Sequence, residues 1–173
     1  MDKIKIMLVF AFMALFVSCS KESKFDTIDN FDINLYTGKW YEIARLEHRF
    51  EKGLNNVTAI YSLNEDGTVK VLNRGFDYEK KQWKEAQGKA KFKETQNIGK
   101  LKVSFFGPFY ADYNILALDE NYQHALISGN DTQYLWILSR EKIISEEVKN
   151  KYLELAQSLD FQISELVWVE HNQ

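Results

Sequence analysis

Few residues of this chain are spaced so that they could do covalent chemistry together. The three histidines, His48, His124 and His171, are scattered and give no metal-ligand spacing. No Gly-x-Ser-x-Gly turn presents a nucleophilic serine. Cys19 is the only cysteine, so no intrachain disulfide or Cys-rich metal site can form. Carboxylates abound, but only Glu42 falls on a face that the strand pattern turns inward. It is either an acid with a raised pKa or a carboxylate satisfied by Arg140 or backbone. Other residue types offer more. Trp40 and Arg140 can stack cation on ring. Lys84 is a cation on a face of small residues. Ala44, Ala59 and Ala86 leave space where Leu or Phe would fill it. These types give catalysis little support, and no cofactor is expected.

The N-terminus carries its own chemistry. After "MDKIK", Ile6 to Val17 is an unbroken apolar run, long enough for a signal-peptide core and too short to span a membrane. "FVSCS" follows. A lone Cys behind a small residue resembles a bacterial lipobox, with Phe16 where Leu is usual. The resemblance implies cleavage before Cys19 and acylation of Cys19. Ser20, rather than Asp, follows the Cys, which implies the outer membrane. The alternative is an ordinary secretory signal with an incidental Cys. Residues 1–18 are thus read as a signal peptide, 19–29 as a lipidated tether and 30–173 as one barrel domain. At 45% hydrophobic and 27% charged, the chain has the balance of a soluble globular domain. A net charge of -3 gives no reason to expect nucleic acid as a partner.

The elements that must position these residues are strands. Short β-rich runs alternate with turn signals over 39–46, 57–63, 68–76, 82–92, 100–106, 111–118, 124–129 and 133–139. "NEDG" (Asn64 to Gly67) is a strong hairpin signal, and "GPF", "DENY" and "GNDT" mark later turns. Eight such strands in sequence predict an all-β, up-and-down antiparallel barrel. The period then changes. Ser145 is an N-cap candidate, and Val148, Tyr152, Leu155 and Leu159 form one apolar stripe of a helix packed outside the barrel. "ISELVWVE" reads as a final short strand.

On this layout, "FDINLYTGKWYEIARL", with Gly38 and Trp40, resembles the first lipocalin motif. "LDENY", ending in Tyr122, is a loose form of the second, and "LWILSR", ending in Arg140, resembles the third. The chain is most similar to the bacterial outer-membrane lipocalins, with apolipoprotein D and plant stress-induced lipocalins further off. The resemblance implies a cup that binds small hydrophobic or amphiphilic ligands, fatty acids and lysophospholipids in the bacterial subgroup. Alternating strand directions bring Trp40, Tyr122 and Arg140 to one end. There the cation–ring pair, at roughly 0.5–2 kcal/mol, plugs the floor.

Side chains alternate along strands, so an inward Trp40 fixes a candidate wall. It comprises Glu42, Ala44 and Leu46; Ala59 and Tyr61; Val69, Val71 and Asn73. Lys84, Ala86, Gly88, Ala90 and Phe92 continue it, followed by Leu101, Val103 and Phe105. Tyr113, Ile115 and Ala117 come next, and Tyr134, Trp136 and Leu138 complete it. The small residues indicate either a ligand cavity or an ordinary packed core, and the three motifs favour the cavity. An acyl tail is expected among Val71, Val103, Ile115 and Trp136. An anionic head would lie near Lys84, Asn73 or Tyr113, unless Lys84 bends to solvent. The loop "EHRFEKGLNN", with His48, Arg49, Phe50 and Leu54, is a candidate lid. Phe76, Phe109 and Tyr110 are expected at the rim.

The function expected is storage or transport of fatty acids or lysophospholipids at the outer membrane, through lipidated Cys19. Two alternatives stay open. One is an envelope hydrolase or isomerase using the same cup. The other is a filled barrel acting as a scaffold or as a homodimer.

Overall fold

The computed structural model describes residues 24–172. Cys19 and the segments read as a signal peptide and the first part of a tether lie outside them. Eight strands follow one another: β1 (Gly38–Leu46), β2 (Leu54–Leu63), β3 (Val69–Asp77), β4 (Gln82–Phe92), β5 (Lys100–Phe106), β6 (Phe109–Leu118), β7 (His124–Ser128) and β8 (Leu135–Ser139). Each is antiparallel to the next, and β1 pairs with both β8 and β2, which closes the barrel. This is the all-β architecture expected from the turn spacing.

The final short strand expected in "ISELVWVE" is present, and it takes a part in the closure that the sequence reading did not assign to it. β1 meets β2 only over Gly38 to Tyr41. Above that, β9 (Leu166–Trp168), entered through a single 3-10 turn, pairs with Ala44 to Leu46 on the same edge. Val169 N donates to Ile43 O at 2.9 Å, and Asn56 N donates to Glu170 O at 2.8 Å. The C-terminal segment therefore fills the gap where β1 and β2 diverge, satisfying backbone groups that an open edge would leave unpaired.

Helix α2 (Glu146–Ser158) forms where the period changes. Ser145 Oγ accepts from Val148 N, and Glu146 and Glu147 complement the helix dipole in its first turn. Its Tyr152 and Ala156 pack on Ile43, Leu126, Leu135 and Ile137 outside the barrel. A shorter helix, α1 (Ile33–Tyr36), escaped the sequence reading. Its N-cap is Asp32, whose carboxylate accepts from Asn34 N at 2.9 Å. It lies beneath the barrel, and Tyr36 O accepts from Trp40 Nε1 at 2.8 Å.

β-Bulges correct the simple alternation. One between Glu42 and Ala44 rotates the rest of β1 by one position. Ala44 and Leu46 consequently face α2 rather than the interior, and Arg45 takes the inward place. A second bulge, between Ile115 and Ala117, turns Ala117 outward in the same way.

Candidate functional site

Arg140 builds the floor. Its Cζ lies 4.0 Å from the Trp40 ring. Its Nη2 donates to the carbonyls of Leu35, Tyr36 and Thr37, its Nη1 to Lys39 O at 2.8 Å, and its Nε to Tyr122 O at 3.2 Å. Tyr122 Oη in turn accepts from Asp32 N at 2.9 Å. Gly38 has φ +95°, and a Cβ there would come within 3.3 Å of Arg140 Nη1. The glycine is thus required both for its backbone and for the approach of the guanidinium. Gly38, Trp40, Tyr122 and Arg140 thus meet at this one end of the barrel.

Above this floor the barrel is hollow, with a cavity of about 610 Å³. Of the residues expected to bind ligand, Phe50, Ala59, Tyr61, Val71, Asn73, Lys84, Val103, Phe105, Tyr113, Tyr134 and Trp136 line it. Two do not. Ala44 is carried outside by the β1 bulge. Ile115 is fully buried in the packed floor, where its backbone bonds to Ile28 and Gly99. The walls are open because β4 presents Ala86, Gly88 and Ala90 toward them. Gly88 admits no larger residue, since its Cβ would stand 2.8 Å from Ser104 O.

The mouth holds charge that the sequence reading did not assemble. Arg45, buried and inward after the bulge, donates to Glu42 Oε1 at 2.9 Å and to the carbonyls of Glu51 and Leu54. It thereby ties the 48–54 loop to the wall. Glu51 Oε2 accepts from Trp136 Nε1 at 3.0 Å and lies 2.9 Å from His48 Nε2. Burial alone would raise the Glu51 carboxyl. The contacts with His48, Trp136 and Arg45 outweigh it and hold the group below its ordinary value. Glu42 goes the other way, pushed well up by burial and by the Glu51 charge against the pull of Arg45. Glu42 pairs with Arg45, not with Arg140 as expected.

The rim is more selective than anticipated. Phe50, Phe106 and Phe109 are exposed at the mouth and line the cavity. Phe76 instead points outward, packing on Tyr78 and Trp83, and Tyr110 lies under Lys91. Lys84 Nζ reaches the cavity but is bridged to Asp77 Oδ2 at 2.7 Å. Tyr36 and Ile33 from α1, and Ile127 from β7, also line the cup. The D-x-N capping pattern at Asp32 was the signal that could have revealed α1. Arg45 had none, because nothing in "EIARL" marks a bulge.

Comparison with known proteins matches this geometry. A family model described as a lipocalin-like domain matches residues 31–171. The outer membrane lipoprotein Blc of Escherichia coli (strain K12) is 48% identical over 159 residues, covering 90% of each chain. Temperature-induced lipocalin-1 of Arabidopsis thaliana is 35% identical over 155 residues, covering 85% of this chain and 83% of its own. Among solved structures, insecticyanin from the tobacco hornworm Manduca sexta superimposes with a TM-score of 0.68 at 20% identity, covering 84% of each chain. At that identity the likeness concerns the fold alone. Lipocalins are binding and transport barrels rather than enzymes, and it is to the lipocalin family that this chain belongs.

Proposed function

We propose that this lipocalin is anchored in the outer membrane through acylated Cys19 and binds fatty acids or lysophospholipids for storage or transport at the envelope. The observation that carries the reading is the shape and lining of the cup. It is closed at one end by the Arg140 latch, open at the other, and large enough at about 610 Å³ for a small amphiphile. Its inner wall is apolar, while its charged residues gather toward the mouth. An acyl tail fits that wall and a polar head fits that mouth. The likeness to the lipoprotein Blc supports the envelope address, as does the apolar run ending at Cys19.

Native mass spectrometry of the protein purified from its own membranes tests this. Retained fatty acid or lysophospholipid and an acylated N-terminal Cys are expected, and the same spectra report whether the protein is a monomer or dimer. A protein that neither carries lipid nor binds a fluorescent fatty acid displaceable by lysophospholipid overturns the reading.

A further inference from the structure

The closed end of the cavity is not uniformly apolar. Tyr36 from α1, Tyr61 from β2 and Tyr113 from β6 all line it, and their hydroxyls meet. Tyr113 Oη stands 2.6 Å from Tyr36 Oη and 2.8 Å from Tyr61 Oη. These three groups bond only among themselves in the described residues. Two close contacts need two hydroxyl hydrogens, and three are present. Tyr36 and Tyr61 interact only weakly with each other, so the third hydrogen is loosely held and can turn to a ligand oxygen, with lone pairs beside it. Burial raises all three phenols above their ordinary values, so they stay protonated and able to donate. Higher on the wall, the buried Asn73 Oδ1 is a second polar atom without a partner.

An apolar floor needs only hydrocarbon, and phenylalanine would fill these three places without polar atoms. A hydroxyl cluster there is useful to a ligand whose buried end has oxygen to offer. The distance is suitable. β2 runs from Leu54 at the mouth to Tyr61, about 23 Å of strand at roughly 3.3 Å per residue, and strand tilt reduces this to a depth on the order of 15–20 Å. An extended long acyl chain can keep its head at the rim and its far end at the tyrosines. Resting on the lipid-binding function proposed above, we propose that the Tyr36–Tyr61–Tyr113 cluster is a hydrogen-bonding subsite. It takes a neutral oxygen, hydroxyl or keto, at or near the buried end of the ligand's chain. The cup then accepts oxygenated acyl chains as well as plain ones. A carboxylate is the wrong partner for this subsite, since it would carry its charge into the driest part of the barrel.

The test compares palmitic acid with 16-hydroxypalmitic acid by titration calorimetry, in wild type, Tyr113→Phe and Tyr61→Phe. In wild type the two are expected to bind within about threefold of each other, whereas a wholly apolar floor would reject the hydroxylated chain about tenfold or more. In each variant the preference is expected to shift about tenfold against the hydroxylated chain. Tyr61→Phe keeps the Tyr36–Tyr113 contact, so it decides the matter if Tyr113→Phe does not fold. Tenfold rejection by wild type overturns the subsite, as does a ratio that the variants leave unchanged. The latter includes the case where both acids weaken together because the carboxyl enters first. If wild type binds neither acid, the proposed function itself falls, and this inference with it.

Discussion

The guanidinium of Arg140 sits over the indole of Trp40, with Cζ 4.0 Å from the ring centroid, and its nitrogens hold five backbone carbonyls around it. One side chain thereby fastens α1, the start of β1 and the β6–β7 turn into a single floor. Arg140→Ala leaves those carbonyls to rearrange or hydrate and is expected to cost about 2–4 kcal/mol. Arg140→Lys keeps the charge but not the planar fork, and is expected to recover less than half of that. Urea denaturation measures both. A loss below about 1 kcal/mol for the alanine variant would show that the floor holds without its latch.

Lys84 and Asp77 face each other at the mouth, 2.7 Å apart, on paired strands β3 and β4. The Lys84 bond, helped by the Lys80 backbone N–H, holds the Asp77 carboxyl below its ordinary value. Asp77 therefore stays charged and neutralises a cation that an anionic head could use there. Asp77→Asn frees Lys84 and is expected to tighten palmitate about threefold to tenfold. Lys84→Ala leaves Asp77 to repel the head and is expected to loosen palmitate by a similar factor. Both effects should shrink in high salt, and methyl palmitate, which is neutral, should respond to neither.

The 48–54 loop carries a pH dependence of fixed sign. Glu51 is held below its ordinary carboxyl value of 4.5 in the folded protein. Its contribution to stability is thus present above the unfolded value and lost as pH falls through the lowered folded one. Protonation removes the charge that accepts from Trp136 Nε1 and stands beside His48. Amide exchange in the 48–54 loop is expected to accelerate as pH falls below the ordinary carboxyl value of 4.5, relative to the barrel strands. Glu51→Gln should give fast loop exchange already at neutral pH and flatten the profile. A loop equally protected in both proteins at neutral pH would remove Glu51 as its anchor.

The parts of this structure that local chemistry decides were legible in the sequence. Turn residues marked the hairpins, and Ser145 and the Val148–Leu159 stripe marked α2, while Gly38, Trp40, Tyr122 and Arg140 stood out through their resemblance to the lipocalin motifs. The inner faces of β3, β4 and β8 follow from alternation alone, because their registers run without interruption. Alternation fails where the pairing inserts a residue. At the bulge past Glu42 it put Ala44 in the cavity and Arg45 outside, the reverse of the structure. A bulge depends on what the neighbouring strand and the covering helix require, here β8 and α2, and a single strand's sequence does not carry that information. The same limit hid the Arg45–Glu51 tie, because it is the bulge that turns Arg45 inward toward the 48–54 loop.

The two alanines that looked equivalent in the sequence provide a direct check of that correction. Ala59 lines the cavity across from Asn73, while Ala44 is fully buried between β1 and α2. Ala59→Phe pushes a ring into empty space, so palmitate binding is expected to fall at least tenfold with the melting temperature held or raised. Ala44→Leu instead overpacks the helix contact, costing about 1–3 kcal/mol. Palmitate should still bind the folded Ala44→Leu protein within about twofold of wild type. Calorimetric titration and thermal melts of the two variants separate these outcomes. Loss of binding in Ala44→Leu at unchanged stability would restore Ala44 to the cavity wall and remove the bulge from the account.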